Sequence, residues 1–182
     1  MRGTTSQSIR SLAARRGHSY HKGRGLLIQV LWVAVSELVF TKLWCPNSLR
    51  CALLRWFGAN VGHGVLIRHR VRVQWPWNLA IANDSWIGTD VELYNLDRIV
   101  IGSDVCISQQ SYLCTGSHDR RSPTFDFDNG PIVIEDGVWI CARSTVLRGV
   151  TIGANSVVAA TCLVGTDIAP NSVVRPPQPV VI

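Results

Sequence analysis

The sequence lacks several patterns that would assign it at once to a functional class. Its six cysteines form no C-x-x-C pair, and we interpret them as free thiols of a reducing compartment. No nucleic-acid-binding motif is present, and the apolar run of residues 26–35, interrupted by Gln29, is short for a bilayer. With 47% hydrophobic and 16% charged residues among 182, the composition excludes disordered and collagen-like chains and predicts one main domain.

Residues 1–25 account for the net positive charge of the whole chain. The formal net charge is +6, and residues 1–25 contain six Lys or Arg and no acidic residue. From residue 26 onward twelve basic residues balance twelve acidic ones. We interpret residues 1–25 as a disordered basic tail, for which a membrane-surface role stays open and a nucleic-acid partner is not expected.

Residues 26–44 predict a helix that is apolar almost all round. Gln29, Ser36 and Glu37, together with the lack of an A-x-A cleavage site, argue against a signal peptide. Such a helix must be covered by the rest of the protein, by a second subunit or by a membrane interface. We define residues 26–60 as a helical N-terminal segment and keep peripheral membrane association through residues 1–44 as an open alternative.

A six-residue period dominates the rest of the sequence. Aliphatic residues stand six apart without exception from Ile134 to Val164, and three earlier groups of three keep the same spacing, separated by two extra residues. The fifteen repeats make five groups of eighteen residues. Neither a helix nor a long strand has this period, whereas a short strand followed by a tight corner does. The pattern predicts an all-β fold, a parallel β-helix of about five three-sided coils.

Residues that tolerate a left-handed backbone recur three places after the aliphatic residue in nine repeats. These predicted corner residues are Gly64, Asp84, Asp90, Asp104, Gly116, Gly137, Gly149, Asn155 and Asp167. Glycine one place after the aliphatic residue, as at Gly88, fits coils that stack too closely for a larger side chain. The β-helix is predicted over residues 61–174. The helical segment should cover its first coil, and the Pro-rich residues 175–182 should end its last coil.

The period fails once, between Leu113 and Ile134, where some fifteen residues are inserted. Because a buried loop of this length would strand its polar backbone groups, it must project from the coils. It contains His118 within "TGSHD". A lone histidine is more often a surface or structural residue, but its position between two regular sets of coils favours a functional role.

The repeats "WIGTDV", "VIGSDV", "VWICAR" and "TIGANS", with a loop that carries "TGSHD", resemble the hexapeptide-repeat acyltransferases. "LRWFGANVG", "ISQQSYLCTGSHD" and "PIVIEDGVWI" are similar to the sugar O-acetyltransferases of the colanic acid exopolysaccharide type, over residues 44–174. The resemblance implies a left-handed β-helix, a homotrimer, acetyl-CoA as the acetyl donor and no metal. It also implies an enzyme of exopolysaccharide biosynthesis. The free thiols predict a cytoplasmic location, and the apolar helix keeps the inner face of the membrane as an alternative.

By the same resemblance, His118 matches the general base that removes the proton of the acceptor hydroxyl. Asn95, in "YNL", matches an acceptor-binding asparagine, with a purely structural corner role as the alternative. Asp119 is assigned to the acceptor side and is, with Glu135, a candidate for the carboxylate that orients His118.

The resemblance also implies a set of donor-site residues, which are Trp139, Ala142, Ala160, Gly165 and Thr166. Trp139 matches an aromatic residue that lines the site, and the small residues match positions along which the pantetheine arm lies. Relatives have a "TKD" turn and a basic C-terminal stretch for the coenzyme phosphates, whereas this chain has "GTD" and only Arg175. Arg143, Arg148 or arginines of a neighbouring subunit are the alternatives.

Two other functions compete with this assignment. A zinc enzyme would need three converging histidines, but His63 and His69 fall on different sides of the first coil and His118 lies about two coils further along. A non-catalytic solenoid that serves as a scaffold or trimerisation module explains every repeat but gives no reason for the histidine loop.

Overall fold

Each six-residue repeat places one short strand on one of three parallel sheets. The structure is a computed structural model that describes residues 20–177. The first sheet contains β1 (Asn60–Val61), β4 (Leu79–Ile81), β7 (Ile99–Ile101), β10 (Ile132–Ile134) and β13 (Thr151–Ile152). The second contains β2 (Leu66–Ile67), β5 (Trp86–Ile87), β8 (Cys106–Ile107), β11 (Trp139–Ile140), β14 (Val157–Val158) and β16 (Val173–Val174). The third contains β3 (Arg72–Val73), β6 (Glu92–Tyr94), β9 (Tyr112–Cys114), β12 (Thr145–Leu147) and β15 (Leu163–Val164).

The predicted parallel β-helix is confirmed, with five complete coils and part of a sixth. The sixth begins where Ile168 bridges to Ile152 and continues in β16, which pairs with β14. The ladder therefore passes Pro170 and extends to Val174. Pro170 does not stop the ladder because it lies in a corner, where the neighbouring Asn171 supplies the backbone N–H that bonds to Ala154.

The interior of the prism is filled by stacked aliphatic side chains. On the second sheet these are Ile67, Ile87, Ile107, Ile140 and Val158, all of them buried. Small residues four places after the aliphatic position share the interior, as predicted. Where that residue is a serine, its hydroxyl donates to a carbonyl of the following coil, as from Ser144 to Ala159 at 2.9 Å. The interior therefore leaves no side-chain polar atom in the described residues buried without a partner.

Left-handed backbone conformations lie at the corners, as the sequence predicts. Seven of the nine predicted corner residues have positive φ, and Gly116 and Asp167 do not. Five further residues that stand three places after an aliphatic residue also have positive φ, although they are not Gly, Asp or, with one exception, Asn. They are Arg70, Gln110, Arg143, Thr161 and Asn171. The stacking of coils therefore imposes this conformation at the corner even on residues that seldom adopt it.

The N-terminal segment comprises α1 (Leu26–Val35), a π-helical turn (Ser36–Phe40) and α2 (Asn47–Trp56). It covers the open edge of the first coil, whose carbonyl groups have no preceding coil to bond with. Four side chains donate to these carbonyls: Arg55 to Val61 at 2.9 Å, Asn47 to Val65 at 2.9 Å, Arg50 to Ile67 at 3.3 Å and Trp32 to Val73 at 3.0 Å. The Asn47 amide oxygen also accepts from the Ile67 N–H at 2.7 Å. The predicted cover of the first coil is therefore present.

Helix α1 is not buried in this chain. Trp32 is its one buried residue, whereas Leu27 is 86% exposed and Leu31 is 55% exposed. The rest of this chain therefore does not cover the helix, and a second subunit or a membrane interface is the cover that the sequence analysis leaves. Within residues 20–177, no helix has the length and hydropathy needed to cross a bilayer.

Replacing Gly88 by alanine should destabilise the fold by about 1–3 kcal/mol, because the added methyl group would lie 2.7 Å from the Gln109 nitrogen and 2.9 Å from the Ser108 carbonyl carbon. Gly165 occupies the same repeat position, but there an added methyl group meets only a Leu147 carbon at 3.6 Å. Gly165→Ala should therefore leave stability nearly unchanged. Chemical denaturation measures both variants, and equal losses would contradict the stacking explanation.

Candidate active site

The sequence-predicted site residues lie on two different edges of the prism. We call the corner between the third and first sheets the loop edge, because the inserted loop projects there. The corner between the second and third sheets is the groove edge. The loop edge carries His118, Asp119, Asn95, Gly165 and Thr166, whereas Ala142, Ala160 and the adjacent Trp139 lie at the groove edge. One chain therefore does not bring the predicted set together.

His118 is held by the loop in a defined orientation. Its backbone pairs with Phe127 in an antiparallel bridge, and its Nδ1 lies 2.8 Å from the Phe125 carbonyl oxygen. Because a carbonyl can only accept, Nδ1 carries the proton and Nε2 is left with a free lone pair. The imidazole stacks on the Phe125 ring with a centroid distance of 4.0 Å, and the Phe127 ring lies 4.7 Å away. The arrangement suits a base that accepts a proton at Nε2.

The group that orients His118 differs from the predicted one. The expected carboxylates were Asp119 and Glu135, but the Asp119 carboxylate accepts from the Arg121 N–H at 2.8 Å, and Glu135 accepts from the Ala154 N–H at 2.8 Å on another corner. The Phe125 carbonyl takes their place. No sequence pattern indicates this contact, because a backbone carbonyl carries no residue-type signal.

A compact set of hydrogen bonds shapes the loop. The Asp126 carboxylate accepts from the hydroxyls of Ser122 at 2.7 Å and Thr124 at 2.9 Å. Asp128 forms an ion pair with Arg148, which belongs to the following coil. The loop and Arg148 line an open polar pocket of about 600 Å³, whose residues include Ser117, His118, Asp119, Phe127, Asp128 and Arg148. The histidine therefore faces a polar cavity that a small hydrophilic molecule could enter.

The ordered contacts begin earlier than predicted, at Tyr20. The Tyr20 ring packs edge-on against Phe127 with a centroid distance of 5.1 Å, and its hydroxyl accepts from the Trp75 indole N–H at 3.0 Å. Trp77 donates to the Lys22 carbonyl at 2.6 Å. Residues 20–24 are therefore not part of a free tail, and residues 1–19 of that predicted tail lie outside the described residues. Tyr20 braces the loop beside His118, which the sequence did not indicate.

Asn95 is fully buried, and both ends of its amide are occupied. Its Oδ1 accepts from the Trp75 N–H at 2.9 Å, and its Nδ2 donates to the Trp75 carbonyl at 2.6 Å. These bonds join two successive corners of the loop edge. An acceptor could bind to this amide only by displacing one of them.

The groove edge has apolar walls and small residues. Trp86 and Trp139 flank Cys106 on the outer face of the second sheet, and both indoles are at least half exposed. The Trp139 N–H donates to the Ser108 hydroxyl at 3.0 Å. A groove of about 450 Å³ lies along Leu66, Trp86, Cys106 and Gln109, and a second of about 480 Å³ follows along Gln109, Ala142 and Ala160. Gln109 lines both grooves, so an extended ligand could lie along this edge.

Two arginines border these grooves. Arg68 lines the first groove, and Arg143, which lines the second, donates to the Gln110 amide oxygen at 2.7 Å. On the same edge Arg70 donates to Asp90 from two nitrogens, each at 2.7 Å, and this hydrogen bonding lowers the pKa of the Asp90 carboxyl. Arg148, the other predicted phosphate ligand, lies at the loop edge and is paired with Asp128.

Among the residues that the structure describes, no three His, Cys, Asp or Glu side chains form a group that could hold a metal ion. His63, His69 and His118 lie on three different corners of the prism. The histidines therefore do not converge on a zinc site.

Replacing Arg148 by glutamine should loosen the loop, because it removes the ion pair that joins Asp128 to the following coil. We expect trypsin to cut after the exposed Arg120 or Arg121 several-fold faster, with little change in melting temperature, since a partly exposed ion pair contributes little to global stability. Arg143→Gln is the matched control on the other edge. Equal cleavage rates in the two variants would contradict a clamping role for Arg148.

Comparison with known proteins agrees with this architecture. Residues 131–166 match the family model described as bacterial transferase hexapeptide (six repeats). The chain is 42% identical over 166 residues to the WcaF protein of Escherichia coli (strain K12), provisionally named as a colanic acid biosynthesis acetyltransferase, and the match covers 90% of each chain. It is 28% identical over 130 residues to the galactoside O-acetyltransferase of the same organism, covering 68% of this chain and 63% of the relative.

Among solved structures, a hexapeptide-repeat acetyltransferase of Vibrio cholerae, crystallised with acetyl coenzyme A, superposes with a TM-score of 0.76. The two are 26% identical, and the superposition covers 90% of this chain and 92% of that one. The left-handed β-helix that the sequence resemblance implies is thereby confirmed. The chain belongs to the hexapeptide-repeat acetyltransferases, in the group of the colanic acid biosynthesis acetyltransferases.

Proposed function

We propose that this protein transfers the acetyl group of acetyl-CoA to a hydroxyl group of a sugar, in exopolysaccharide biosynthesis, with His118 as the general base. The observation that carries the proposal is the His118 imidazole, which has its Nδ1 on the Phe125 carbonyl and faces a polar pocket. The acetyl-CoA complex of the Vibrio cholerae relative supports the donor. The names of the WcaF and galactoside O-acetyltransferase relatives support the sugar acceptor.

The geometry of His118 suits a direct transfer. As the acceptor hydroxyl oxygen attacks the thioester carbonyl, Nε2 takes the hydroxyl proton. The tetrahedral intermediate then collapses, the C–S bond breaks, and the imidazolium returns the proton to the departing thiolate. The products are the acetyl ester and the free thiol, and His118 is again neutral. Because the thioester is already activated, the protein's main tasks are to align the two substrates and to move this proton.

The Phe125 carbonyl fixes which nitrogen acts. By accepting from Nδ1–H it selects the tautomer whose Nε2 is basic, and it stabilises the positive charge that develops on the ring. The stacked Phe125 ring and the Phe127 ring restrict the imidazole to one orientation. A catalytic carboxylate is therefore not needed beside His118.

No acyl-enzyme is needed. Cys141, next to Ala142 at the groove edge, is one of six free cysteines. Burial raises the pKa of the Cys141 thiol, with further upward contributions from Cys106 and Cys162, which keeps it protonated near neutral pH. A protonated thiol is a poor nucleophile, which favours the direct transfer through His118.

The donor fits the groove edge. Small side chains at Ala142 and Ala160 leave room for an extended pantetheine arm beside the backbone, and Trp139 offers an apolar wall. Arg143 and Arg68 border this path and are the cations that we assign to the coenzyme phosphates. Arg148 is not assigned to them, because it pairs with Asp128.

The two edges need a second subunit. His118 and the groove lie on opposite sides of the third sheet, so the loop of one chain cannot cover its own groove. We propose a homotrimer in which the loop edge of one protomer faces the groove edge of the next. Gly165 and Thr166, on the loop edge, would then lie across from Ala142 and Ala160 of the neighbour. The predicted donor residues come together in that arrangement, at three equivalent sites.

The acceptor is proposed to bind in the pocket beside His118, with Asp119 at its rim. Asn95 stays a predicted acceptor ligand, although its bonds to Trp75 give it a structural task as well. We propose the inner face of the membrane as the location of the enzyme, because the apolar residues of α1 are exposed.

Replacing His118 by alanine should lower kcat by roughly a hundredfold or more, because general-base catalysis contributes about 10²–10⁴ to the rate. The assay follows thiol release from acetyl-CoA with sugar nucleotides and polysaccharide fragments as acceptors. His63→Ala, an exposed histidine on another corner, is the control and should retain the full rate. Gel filtration should show both variants with the wild-type oligomeric state.

An unchanged rate in His118→Ala would overturn the general-base role. Absence of thiol release with every hydroxyl acceptor tested would instead favour a non-catalytic scaffold.

A further inference from the structure

The face of α1 that is turned away from the prism is apolar and exposed. We call this surface the α1 face; its large side chains are Leu26, Leu27, Ile28, Val30, Leu31 and Val33, each at least 40% exposed. Trp32, on the opposite side of the helix, donates to the Val73 carbonyl and holds α1 at the first-coil end of the prism. The exposure therefore follows from how the helix is attached to the body.

The apolar surface continues beyond α1. Leu38 is exposed in the π-helical turn, and Leu43 and Trp44 are exposed in the segment that follows. The helix and the turn together contain fifteen residues, about 22 Å of helix, which is short of the bilayer core. An apolar helix of this length can be covered by lying along an interface, where a tryptophan side chain is also well placed.

Charge is distributed unequally along the prism axis. Residues 20–83, which include the N-terminal segment and the first coil, contain eight Lys or Arg and one acidic residue, Glu37. Residues 84–182 contain six Lys or Arg and eleven acidic residues. The end that carries the α1 face is therefore strongly basic, and the rest of the chain is acidic. Lys22 and Arg24, just before α1, are exposed.

We propose that the α1 face binds the surface of an anionic lipid bilayer, with the helix lying in the interface and the basic residues around it contacting lipid headgroups. A bilayer of this kind supplies both an apolar layer for the leucines and negative charge for the basic end. A second copy of the chain would supply an apolar surface but no negative charge, because it would place two basic ends against each other. The acidic end of the prism would point away from the negatively charged surface.

The proposed trimer strengthens this attachment. Rotation about a threefold axis leaves the three α1 faces at the same height on one end of the assembly. One surface can then engage all three, and the second and third contacts form at high effective concentration. Membrane binding itself does not depend on the acetyl transfer reaction.

The experiment is co-sedimentation of the full chain with vesicles of 30% phosphatidylglycerol in phosphatidylcholine, and with pure phosphatidylcholine vesicles. We expect binding to the anionic vesicles, which weakens in 0.5 M NaCl, and little binding to the neutral ones. The double variant Leu27→Gln/Leu31→Gln should lose at least about tenfold in affinity, since two exposed leucines no longer enter the interface. Lys22→Glu/Arg24→Glu should weaken binding to anionic vesicles, because these two exposed residues stand just before α1.

The matched control is Leu163→Gln/Val173→Gln, which changes two exposed apolar residues at the other end of the prism and should bind as the wild type does. Equal binding of both double variants would overturn the proposal. So would a smaller assembly of Leu27→Gln/Leu31→Gln in gel filtration, because a second copy would then be what covers the α1 face. Thiol release with a water-soluble acceptor should be the same in the wild type and in Leu27→Gln/Leu31→Gln. Failure of the membrane-binding proposal is therefore distinct from failure of the acetyltransferase assignment.

Discussion

The structure depends on the pairing of each coil with the next. In the inner coils, backbone carbonyls of buried aliphatic residues accept from the preceding coil, as Ile81 accepts from Gly62 at 2.8 Å. The first coil has no such neighbour, and an unpaired edge invites aggregation. The buried Arg50 helps to meet this constraint by donating to the Ile67 carbonyl of the first coil, and it also donates to the Phe40 and Lys42 carbonyls of the N-terminal segment. Burial lowers the pKa of its guanidinium. Without the helical segment, the β-helix would have an open edge where it begins, so this segment is part of the fold.

The same constraint explains where function is located. A prism made of stacked coils has no interior cavity for substrates, because stacked Ile and Val side chains fill it. Binding has to occur outside, on edges where the chain can insert a loop or leave a line of small residues. The chain uses one edge for the His118 loop and another for the Ala142 and Ala160 groove. A rigid body keeps these edges apart, so oligomerisation is the means by which we propose that they meet.

Much of this follows from the sequence, because its six-residue period reports directly on stacked coils. The period identified the interior, most corners and the position of the loop around His118. It could not identify the Phe125 carbonyl as the partner of His118, since a backbone group carries no residue-type signal. Nor could it identify Tyr20, because the contacts of Tyr20 with Phe127 and Trp75 join residues that are distant in the chain. The repeat positions assign the resemblance-based set to two edges, but they do not say which residues a second subunit would bring together. The sequence left three covers open for the apolar helix, and only the structure shows that the rest of this chain leaves the α1 face exposed.

The central claim is that each active site combines the His118 loop of one subunit with the groove of the next. It is tested most directly by mixing two inactive variants, His118→Ala and a groove-blocking Ala160→Trp, by co-expression with distinguishable tags. In a cyclic trimer every mixed assembly contains one interface with an intact loop and an intact groove, so random mixing should restore about a quarter of the wild-type rate. If mixed trimers isolated through both tags stay as inactive as either parent, the site lies within one subunit and the claim is wrong.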